Sequence, residues 1–211
     1  MARANSETGP VRRGRPRAYD AQAALKQATD TFWKAGYSGT SLDSIAAATG
    51  MNPPSLYAAF GNKHAIYLEA LARYWDISLA ATREALAEDR PLGESLMLAY
   101  EAALSIYFSG KGNARGCFVI GTAVTEAGED AAIRNSVAAG LRAIDGDFEA
   151  RFRKAIERGE LKPGADPAAL AILASATMHT IAIRARTGAR RAELKEVARK
   201  AVSVICGIEA N

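Results

Sequence analysis

The chain has 211 residues, which is enough for one domain or two small ones, and its composition is that of an ordinary globular protein. Its formal net charge is +4, and residues 1–17 carry five arginines against one glutamate, which leaves 22 basic and 22 acidic residues in the rest of the chain. Two widely separated cysteines argue against a disulfide scaffold or a zinc site, and the N-terminus lacks the apolar stretch of a secretory signal, so we predict a cytoplasmic protein without a metal or a cofactor.

Residues 1–19 form a basic arm that contains the sequence RGRPR at positions 13–17. A basic arm in front of a neutral body favours a polyanion as partner. A solvated, disordered terminus has the same composition and stays open as an alternative.

The first predicted helix begins after Asp20, which can act as its N-cap, and ends near Ala35, where Gly36 stops it. Its apolar residues follow the 3- and 4-residue steps of one helical face: Ala24, Leu25, Ala28 and Phe32. Two short helices follow, and both have clear boundaries in the sequence.

Thr40 or Ser41 can cap the second helix, which Gly50 closes. Asn52 can cap the third helix, and Pro53 takes the first helical position, where the missing N–H of proline costs nothing. These prolines therefore start the third helix, and they do not break it.

A long fourth helix is predicted to open at Asn62, with an apolar stripe at Ile66, Ala70, Tyr74, Ile77 and Ala81. Five further helices are predicted at about 91–109, 116–126, 130–158, 167–187 and 190–208, separated by segments rich in Gly, Pro and Asn. We therefore predict an all-α fold of about nine helices, in which residues 20–66 form a first domain that contains the two short helices and residues 67–211 form a second helical domain. Residues 167–183 contain no Asp, Glu, Lys or Arg, but they are short for a membrane span and include polar residues, so a buried helix is favoured.

The second and third helices have the pattern of a helix-turn-helix. Such a unit needs a small residue where its helices cross, a glycine able to adopt positive φ in the turn, and apolar residues that tie it to the core. Ala46, Gly50, Ile45 and Leu56 fill these roles.

The stretch ALKQATDTFWKAGYSGTSLDSIAAATGMNPPSLYAAFGNKHAIYLEAL resembles the N-terminal domain of the TetR/AcrR family of transcriptional regulators. The resemblance covers roughly residues 20–70, and the RGRPR arm is similar to arms found before this domain in many members. The matching positions are Phe32, Gly36, Tyr37, Thr40, Ser41, Ile45, Ala46, Gly50, Ser55, Leu56, Tyr57, Phe60 and Lys63.

This resemblance implies that residues 20–66 form a helix-turn-helix DNA-binding domain and that residues 67–211 form a helical effector-binding and dimerisation domain. It also implies that residues 53–60 are the recognition helix in the DNA major groove. It implies phosphate contacts from Asn52, Tyr57 and Lys63 and from Thr40 or Ser41, together with contacts of Pro54 and Ser55 to base edges or thymine methyl groups. Arg15 and Arg17 of the arm would lie in the minor groove.

Positions 58 and 59, which are often aromatic or histidine in the family, are both alanine here. We therefore expect specificity to depend on methyl contacts, DNA shape and the arm. Without the surrounding pattern, Tyr57 and Phe60 would be read as core aromatics and Lys63 as a solvated surface residue.

The resemblance also implies a homodimer through residues 167–208, a palindromic DNA operator and an unknown small-molecule effector that releases a repressor from that operator. An apolar face is predicted on each of the last two helices: Leu170, Leu173, Thr177 and Ile181 on the first, and Leu194, Val197, Ala201, Val204 or Ile205, and Ile208 on the second. Core packing explains these faces as well as a dimer does.

Two residues of the second domain are candidate ligand contacts. Cys117, near a predicted helix N-terminus where a thiol pKa can fall, could sense oxidants or electrophiles, and the alternative is a buried inert cysteine. His179 could line the effector pocket or pack in the core.

Two other classes of protein compete with the regulator. An enzyme is disfavoured because neither histidine lies in a nucleophile or metal motif and no glycine-rich phosphate loop follows a predicted strand. A helical protein-interaction module without DNA binding stays open because of the two alanines in the recognition helix.

Overall fold

The computed structural model describes residues 20–87, 90–110 and 112–207. Within these ranges the chain forms eight α-helices, one short π-helix and one 3-10 turn, and it contains no strand. The all-α prediction is therefore confirmed. The basic arm, with the candidate DNA contacts Arg15 and Arg17, lies outside the described residues.

The first four helices begin and end close to the predicted positions. They are α1 (Ala21–Ala35), α2 (Leu42–Thr49), α3 (Pro53–Phe60) and α4 (Lys63–Ala85). Asp20, Asn52 and Asn62 each cap the following helix by accepting a backbone N–H with the side-chain carboxylate or amide oxygen. Local capping signals thus fix the boundaries of the N-terminal helices.

The second part of the chain contains α5 (Leu92–Tyr107), α6 (Ala131–Glu157), α7 (Pro167–Arg186) and α8 (Arg191–Cys206). Helix α6 packs against α4 and α7, and α8 packs against α5 and α7. Helix α4 also contacts α1 and α5, so the division predicted at residue 66 falls within one continuous helix that belongs to both parts.

The predicted α-helix over residues 116–126 is wrong in type. Val119–Ala123 is a π-helix, in which the N–H of Val124 donates to the carbonyl of Val119 five residues earlier, at 3.2 Å. The hydroxyl of Thr122 donates to the carbonyl of Phe118 at 2.8 Å, and such a side-chain bond competes with the regular helical ladder. A 3-10 turn, Glu126–Gly128, then leads into α6.

Helices α4 and α6 approach each other closely at Gly140. A Cβ atom at this position would lie 2.2 Å from the ring of Trp75, so only glycine permits the observed contact. Trp75 is itself buried in the core that these helices share. The packing of the long helix α4 against the second domain therefore depends on one residue without a side chain.

Two predicted apolar stripes were wrong in detail. Ile77 of α4 is 49% exposed, and Leu173 of α7 is also exposed. The buried side of α4 instead includes Leu71 and Trp75, and small residues form most of the buried face of α7: Ala171, Ala174, Ser175, Met178, Ile181, Ala182 and Ala185. On α8 the buried residues are Leu194, Ala198, Val202 and Ile205, which settles the choice between Val204 and Ile205, and Ile208 lies outside the described residues.

Helix α7 is long and apolar enough to cross a membrane by length and composition alone. In this structure it packs against α5, α6 and α8 through its small residues. The prediction of a packed bundle helix agrees with this arrangement, although Ile172, Leu173 and Ile183 of α7 are exposed.

Candidate nucleic-acid interface

Helices α2 and α3 are joined by a tight turn at Gly50. This glycine has φ 67° and ψ 11°, the left-handed conformation that L side chains adopt at a cost. Ile45 and Leu56 are completely buried and fix the two helices on the core, while Ala46 is partly buried where they meet. The sequence pattern for a helix-turn-helix therefore corresponds to a helix-turn-helix in space.

Ser41, and not Thr40, caps α2. The Ser41 hydroxyl accepts the N–H of Ser44, and the Ser44 hydroxyl accepts the N–H of Ser41, each at 3.1 Å. Thr40 is only 2% exposed, and its hydroxyl donates to the carbonyl of Gly36 at 2.7 Å. The prediction that Thr40 contacts phosphate conflicts with this burial, so Ser41 is the candidate at this point of the interface.

The N-terminus of α3 offers no free backbone donor. Pro53 and Pro54 have no N–H, and the N–H of Ser55 donates to the side-chain oxygen of Asn52 at 2.9 Å. The amide nitrogen of Asn52 still carries two protons and is exposed, so this end of the helix can hold an anion through that side chain. The exposed Pro54 presents an apolar ring beside it.

Tyr57 lies on the outer face of α3 and is 53% exposed. It is therefore not a core aromatic, whereas Leu56 beside it is completely buried. Ala58 is exposed and Ala59 half-buried. The outer face of the helix thus presents one hydroxyl among small apolar groups, a surface suited to phosphate and methyl contacts.

Lys63 is held within the protein, unlike the free surface lysine that its position predicts. Its ammonium donates to the carbonyls of Tyr37 and Thr40 at 3.1 and 3.0 Å, and it lies 4.2 Å from the centroid of the Tyr37 ring. Lys63 therefore ties the loop before α2 to the first turn of α4. An ammonium has three donors, so one remains for a phosphate.

Tyr37 belongs to this cluster, and the sequence analysis predicted no role for it. Its carbonyl and its ring both hold Lys63, and the ring stands 4.8 Å from that of Tyr67 on α4. An aromatic residue directly after a helix-ending glycine was the available signal, because such a side chain folds back onto the preceding core.

An internal cavity of about 20 Å³ brings both candidate ligand residues together. Cys117 and His179 line it with Tyr74, Trp75 and Met178. This space holds about one water molecule, so the site is closed in this structure.

The chemistry of Cys117 differs from the prediction. Burial raises the pKa of its thiol, which is 8% exposed, and the hydroxyl of Tyr74 donates to its sulfur at 3.1 Å. The predicted activation of this thiol at a helix N-terminus is therefore wrong. Burial also lowers the pKa of His179, so its imidazole is neutral near pH 7.

Two hydrogen bonds and one close polar contact join the N-terminal helices to the segment that follows the cavity lining. The hydroxyls of Tyr67 and Thr122 are 2.7 Å apart, and the hydroxyl of Ser38 donates to Glu126 at 2.8 Å. The ring nitrogen Nε2 of His64 lies 2.7 Å from the carboxylate of Asp130, without the geometry of a hydrogen bond.

The carboxylate of Asp130 also accepts the N–H of Ile133 at the start of α6. That backbone bond is the main reason why its pKa is lowered, and His64 contributes less. Segment 117–130 therefore contacts the cavity at one end and the N-terminal helices at the other.

The fold and the exposed face of α3 define the class as an all-α helix-turn-helix DNA-binding protein. Comparison with known families agrees. Residues 24–70 match the family described as "Bacterial regulatory proteins, tetR family", and residues 95–201 match the "Tetracyclin repressor-like, C-terminal domain".

The HTH-type transcriptional repressor ComR of Escherichia coli K12 is 32% identical over 200 residues, which cover 94% of each chain. The repressor BdcR of the same organism is 35% identical over 107 residues, 51% of this chain and 54% of that protein. A cysteine mutant of the regulator CifR, solved with 26bp double-strand operator DNA, is 32% identical with a TM-score of 0.81, over 90% of this chain and 98% of that one.

This chain therefore belongs to the TetR family and is a DNA-binding transcriptional regulator. Members of this family are dimeric and bind small-molecule effectors. The family is not normally enzymatic.

Proposed function

We propose that the protein is a homodimeric repressor that binds a palindromic operator and leaves it when a small molecule enters the internal cavity. The observation that carries the proposal is that α3 has one buried face and one exposed face. Leu56 anchors one side completely, while Tyr57 stands exposed on the other side. A helix fixed in this way can enter the major groove without rearrangement of the domain.

The proposed phosphate contacts come from hydroxyl and amide groups around α3. The Ser41 hydroxyl accepts one bond within the protein and can still donate its proton, and Asn52 offers its amide nitrogen. Tyr57 would donate its hydroxyl to a third phosphate, while the remaining donor of Lys63 adds charge. These groups position the helix on DNA and carry no sequence information.

Base recognition is proposed for Pro54 and Ser55 at the tip of α3. The proline ring suits a thymine methyl group, and the serine hydroxyl can donate to or accept from a base edge. With alanines at 58 and 59, further discrimination would come from Arg15 and Arg17 in the minor groove and from DNA shape.

The proposed dimer interface lies on the outer faces of α7 and α8. Ile172, Leu173 and Ile183 of α7 are about half exposed, and Val204 of α8 is 78% exposed. Residues 172 and 183 differ by 11 positions, which is close to three full helical turns, so both project from one face. A second copy that covers this face would bury side chains that are otherwise costly in water.

The internal cavity is the proposed effector site. Its lining combines apolar side chains with a neutral imidazole, a protonated thiol and the phenol of Tyr74. This chemistry favours an uncharged, weakly polar effector. Because the cavity is closed, the effector must separate Trp75 from the helices packed against it.

Segment 117–130 is the proposed route from cavity to DNA. Cys117, Val119 and Ile120 line the cavity, while Glu126 and Asp130 hold the N-terminal helices through Ser38 and His64. An effector that displaces the three cavity-lining residues changes the contacts that Glu126 and Asp130 make with the N-terminal helices. Coupling of this kind is reciprocal, so operator DNA must weaken effector binding by the same factor.

The test is binding of the purified protein to a labelled fragment of the DNA upstream of its own coding region, across a salt series and against random competitor DNA. The proposal expects competitor-resistant binding to a palindrome by a dimer, with log affinity falling by about 0.9 per log unit of salt for each phosphate contact. Footprinting then locates the operator, and a library of neutral small molecules is screened for release. An effector with equal affinity for free and operator-bound protein would contradict the mechanism.

The alternatives have lost their main support. A thiol-based repressor that uses Cys117 required a lowered pKa, and burial raises it. An interaction module without DNA binding was kept open by the alanines at 58 and 59, and the exposed Tyr57 on the same helix supports DNA binding instead. We place the protein in the cytoplasm, because its proposed partner is chromosomal DNA.

A further inference from the structure

A groove of about 320 Å³ runs between α1, α4 and α5, on the other side of Tyr74 from the internal cavity, and Tyr74 lines both spaces. Thr29 and Trp33 of α1, Ile77 of α4 and Ile106 of α5 are among the side chains that line it. It continues into a wider cleft that shares Trp33, Arg115 and two α1 side chains with it.

The size of this groove is that of a small-molecule site. Ligand pockets typically have volumes of about 300–1,000 Å³. The internal cavity, at about 20 Å³, cannot hold an organic molecule without rearrangement. In the state described by the structure, the groove is therefore the space that a ligand can enter directly.

The floor of the groove is apolar and partly exposed. Ile77, which the sequence pattern placed in the core, is 49% exposed here, and Ile106 is half-buried beside it. The edge of Trp33 completes the floor, while the guanidinium of Arg115 lies 4.2 Å from the centroid of its ring. A flat apolar body would cover this surface and remove Ile77 from water.

The rim is cationic. Lys26, Arg73 and Arg115 line the groove against the single carboxylate of Asp30. Asp30 lies 2.5 Å from Arg115 and 3.5 Å from Lys26, so its charge is shared between them. Within the residues that the structure describes, Arg73 donates to the neutral amide oxygen of Gln22 at 3.0 Å and pairs with no carboxylate.

We propose that this groove is a second ligand site, which binds a small organic anion with a flat apolar body, such as an aromatic carboxylate. The apolar body lies on Ile77 and the edge of Trp33, and the carboxylate faces Arg73 and Lys26. A guanidinium offers two parallel donors to a carboxylate, which fixes the orientation of the ligand.

The position of the site gives the ligand a regulatory consequence. Helix α1 belongs to the DNA-binding part, while α5 belongs to the second domain, and the groove wall includes both. A ligand in the groove therefore binds across the two parts and favours their present spacing. This effect on the spacing of the two parts is opposite to that of an effector that forces the internal cavity open.

The experiment uses 2-naphthoate as the probe and the two tryptophans of the full chain as reporters. Trp33 lines the groove and Trp75 lines the internal cavity, so 5-fluorotryptophan labelling gives one ¹⁹F signal for each site. The signals are assigned with Trp75→Phe. Tyr74 lines both sites and its ring contacts both tryptophans, so we expect 2-naphthoate to shift the Trp33 signal saturably and further than the Trp75 signal. We expect the neutral 2-naphthamide to bind about tenfold more weakly.

Two variants test the assigned contacts. Arg73→Gln removes the proposed carboxylate partner, and Ile77→Glu places a like charge on the floor, so each should weaken binding at least about tenfold. Val124→Glu is the matched control, because Val124 is 53% exposed and lies outside the groove.

The proposal is overturned if the Trp33 signal does not move, if the Trp75 signal moves further, if the amide binds as tightly as the acid, or if neither variant weakens binding. None of these readouts involves DNA. Failure of this site is therefore distinguishable from failure of the proposed repressor function.

Discussion

Replacement of Lys63 by methionine tests whether this lysine supports the interface or contacts DNA as a free charge. The ammonium makes two half-buried hydrogen bonds, to the carbonyls of Tyr37 and Thr40, and lies over the Tyr37 ring. With about 1 kcal/mol for each bond after allowance for partial exposure, and about 0.5–1 kcal/mol for the ring contact, the loss is about 2–3 kcal/mol. For a chain of this length that loss lowers Tm by roughly 5–10 °C.

The assays are thermal unfolding followed by circular dichroism, and operator binding across a salt series. A purely internal lysine leaves the salt dependence unchanged, whereas each lost phosphate contact lowers its slope by about 0.9 per protomer. Lys34→Met, at an exposed position of α1, is the matched control and should change the free energy of unfolding by less than about 0.5 kcal/mol. A Tm within 2 °C of the control, together with a reduced slope, would refute our reasoning and restore the free phosphate contact.

Three further predictions concern other residues. Tyr57→Phe should leave Tm unchanged, because the side chain is half exposed. It should weaken operator binding about tenfold without changing the dependence of affinity on salt. An unaltered affinity in a filter-binding assay would remove Tyr57 from the interface. Burial lowers the pKa of His179 below its usual 6.5, so the unfolded chain binds more protons than the folded chain below that pH, and the free energy of unfolding should fall as the pH drops through 6.5. Urea unfolding of His179→Phe should show a weaker fall with pH. An identical pH profile for the variant and the original protein would contradict the assignment. Iodoacetamide should alkylate the half-buried Cys206 before the buried Cys117, as followed by peptide mass spectrometry, and the reverse order would reopen the sensor hypothesis.

The features that the sequence predicted best are those decided within a few residues. Asn52 followed by two prolines determines where α3 begins, because the cap and the first helical turn involve only neighbouring atoms. Gly50 determines the turn for the same reason, through its backbone conformation. A resemblance built on such positions therefore predicted the helix-turn-helix and its bounds correctly.

The errors arose where distant helices decide the outcome. A stripe of residues at 3- and 4-residue steps predicted that Ile77 is buried, but α4 packs on more than one neighbour, and the face that contains Ile77 borders a groove. Helix α7 buries mostly small side chains and exposes Ile172, Leu173 and Ile183, which hydrophobicity alone cannot anticipate. The bonds of Lys63 also depend on a loop 23 and 26 residues earlier in the chain.

Lys63 also determines what a movement of α4 does to the DNA-binding part. From Tyr74, which lines the internal cavity, to Lys63 the helix extends 11 residues, or about 16 Å, so a tilt of about 5° at the cavity moves Lys63 by about 1.4 Å. Because Lys63 is tied to the loop before α2, that loop must follow α4. The hydrogen bond from Ser38 to Glu126, at 2.8 Å, cannot stretch by this amount, so it breaks or pulls segment 117–130 with it, and the 2.7 Å contact between His64 and Asp130 is lost or moves in the same way. An effector that opens the cavity therefore has two connected routes to α3, and a displacement on either route changes the position of the recognition helix.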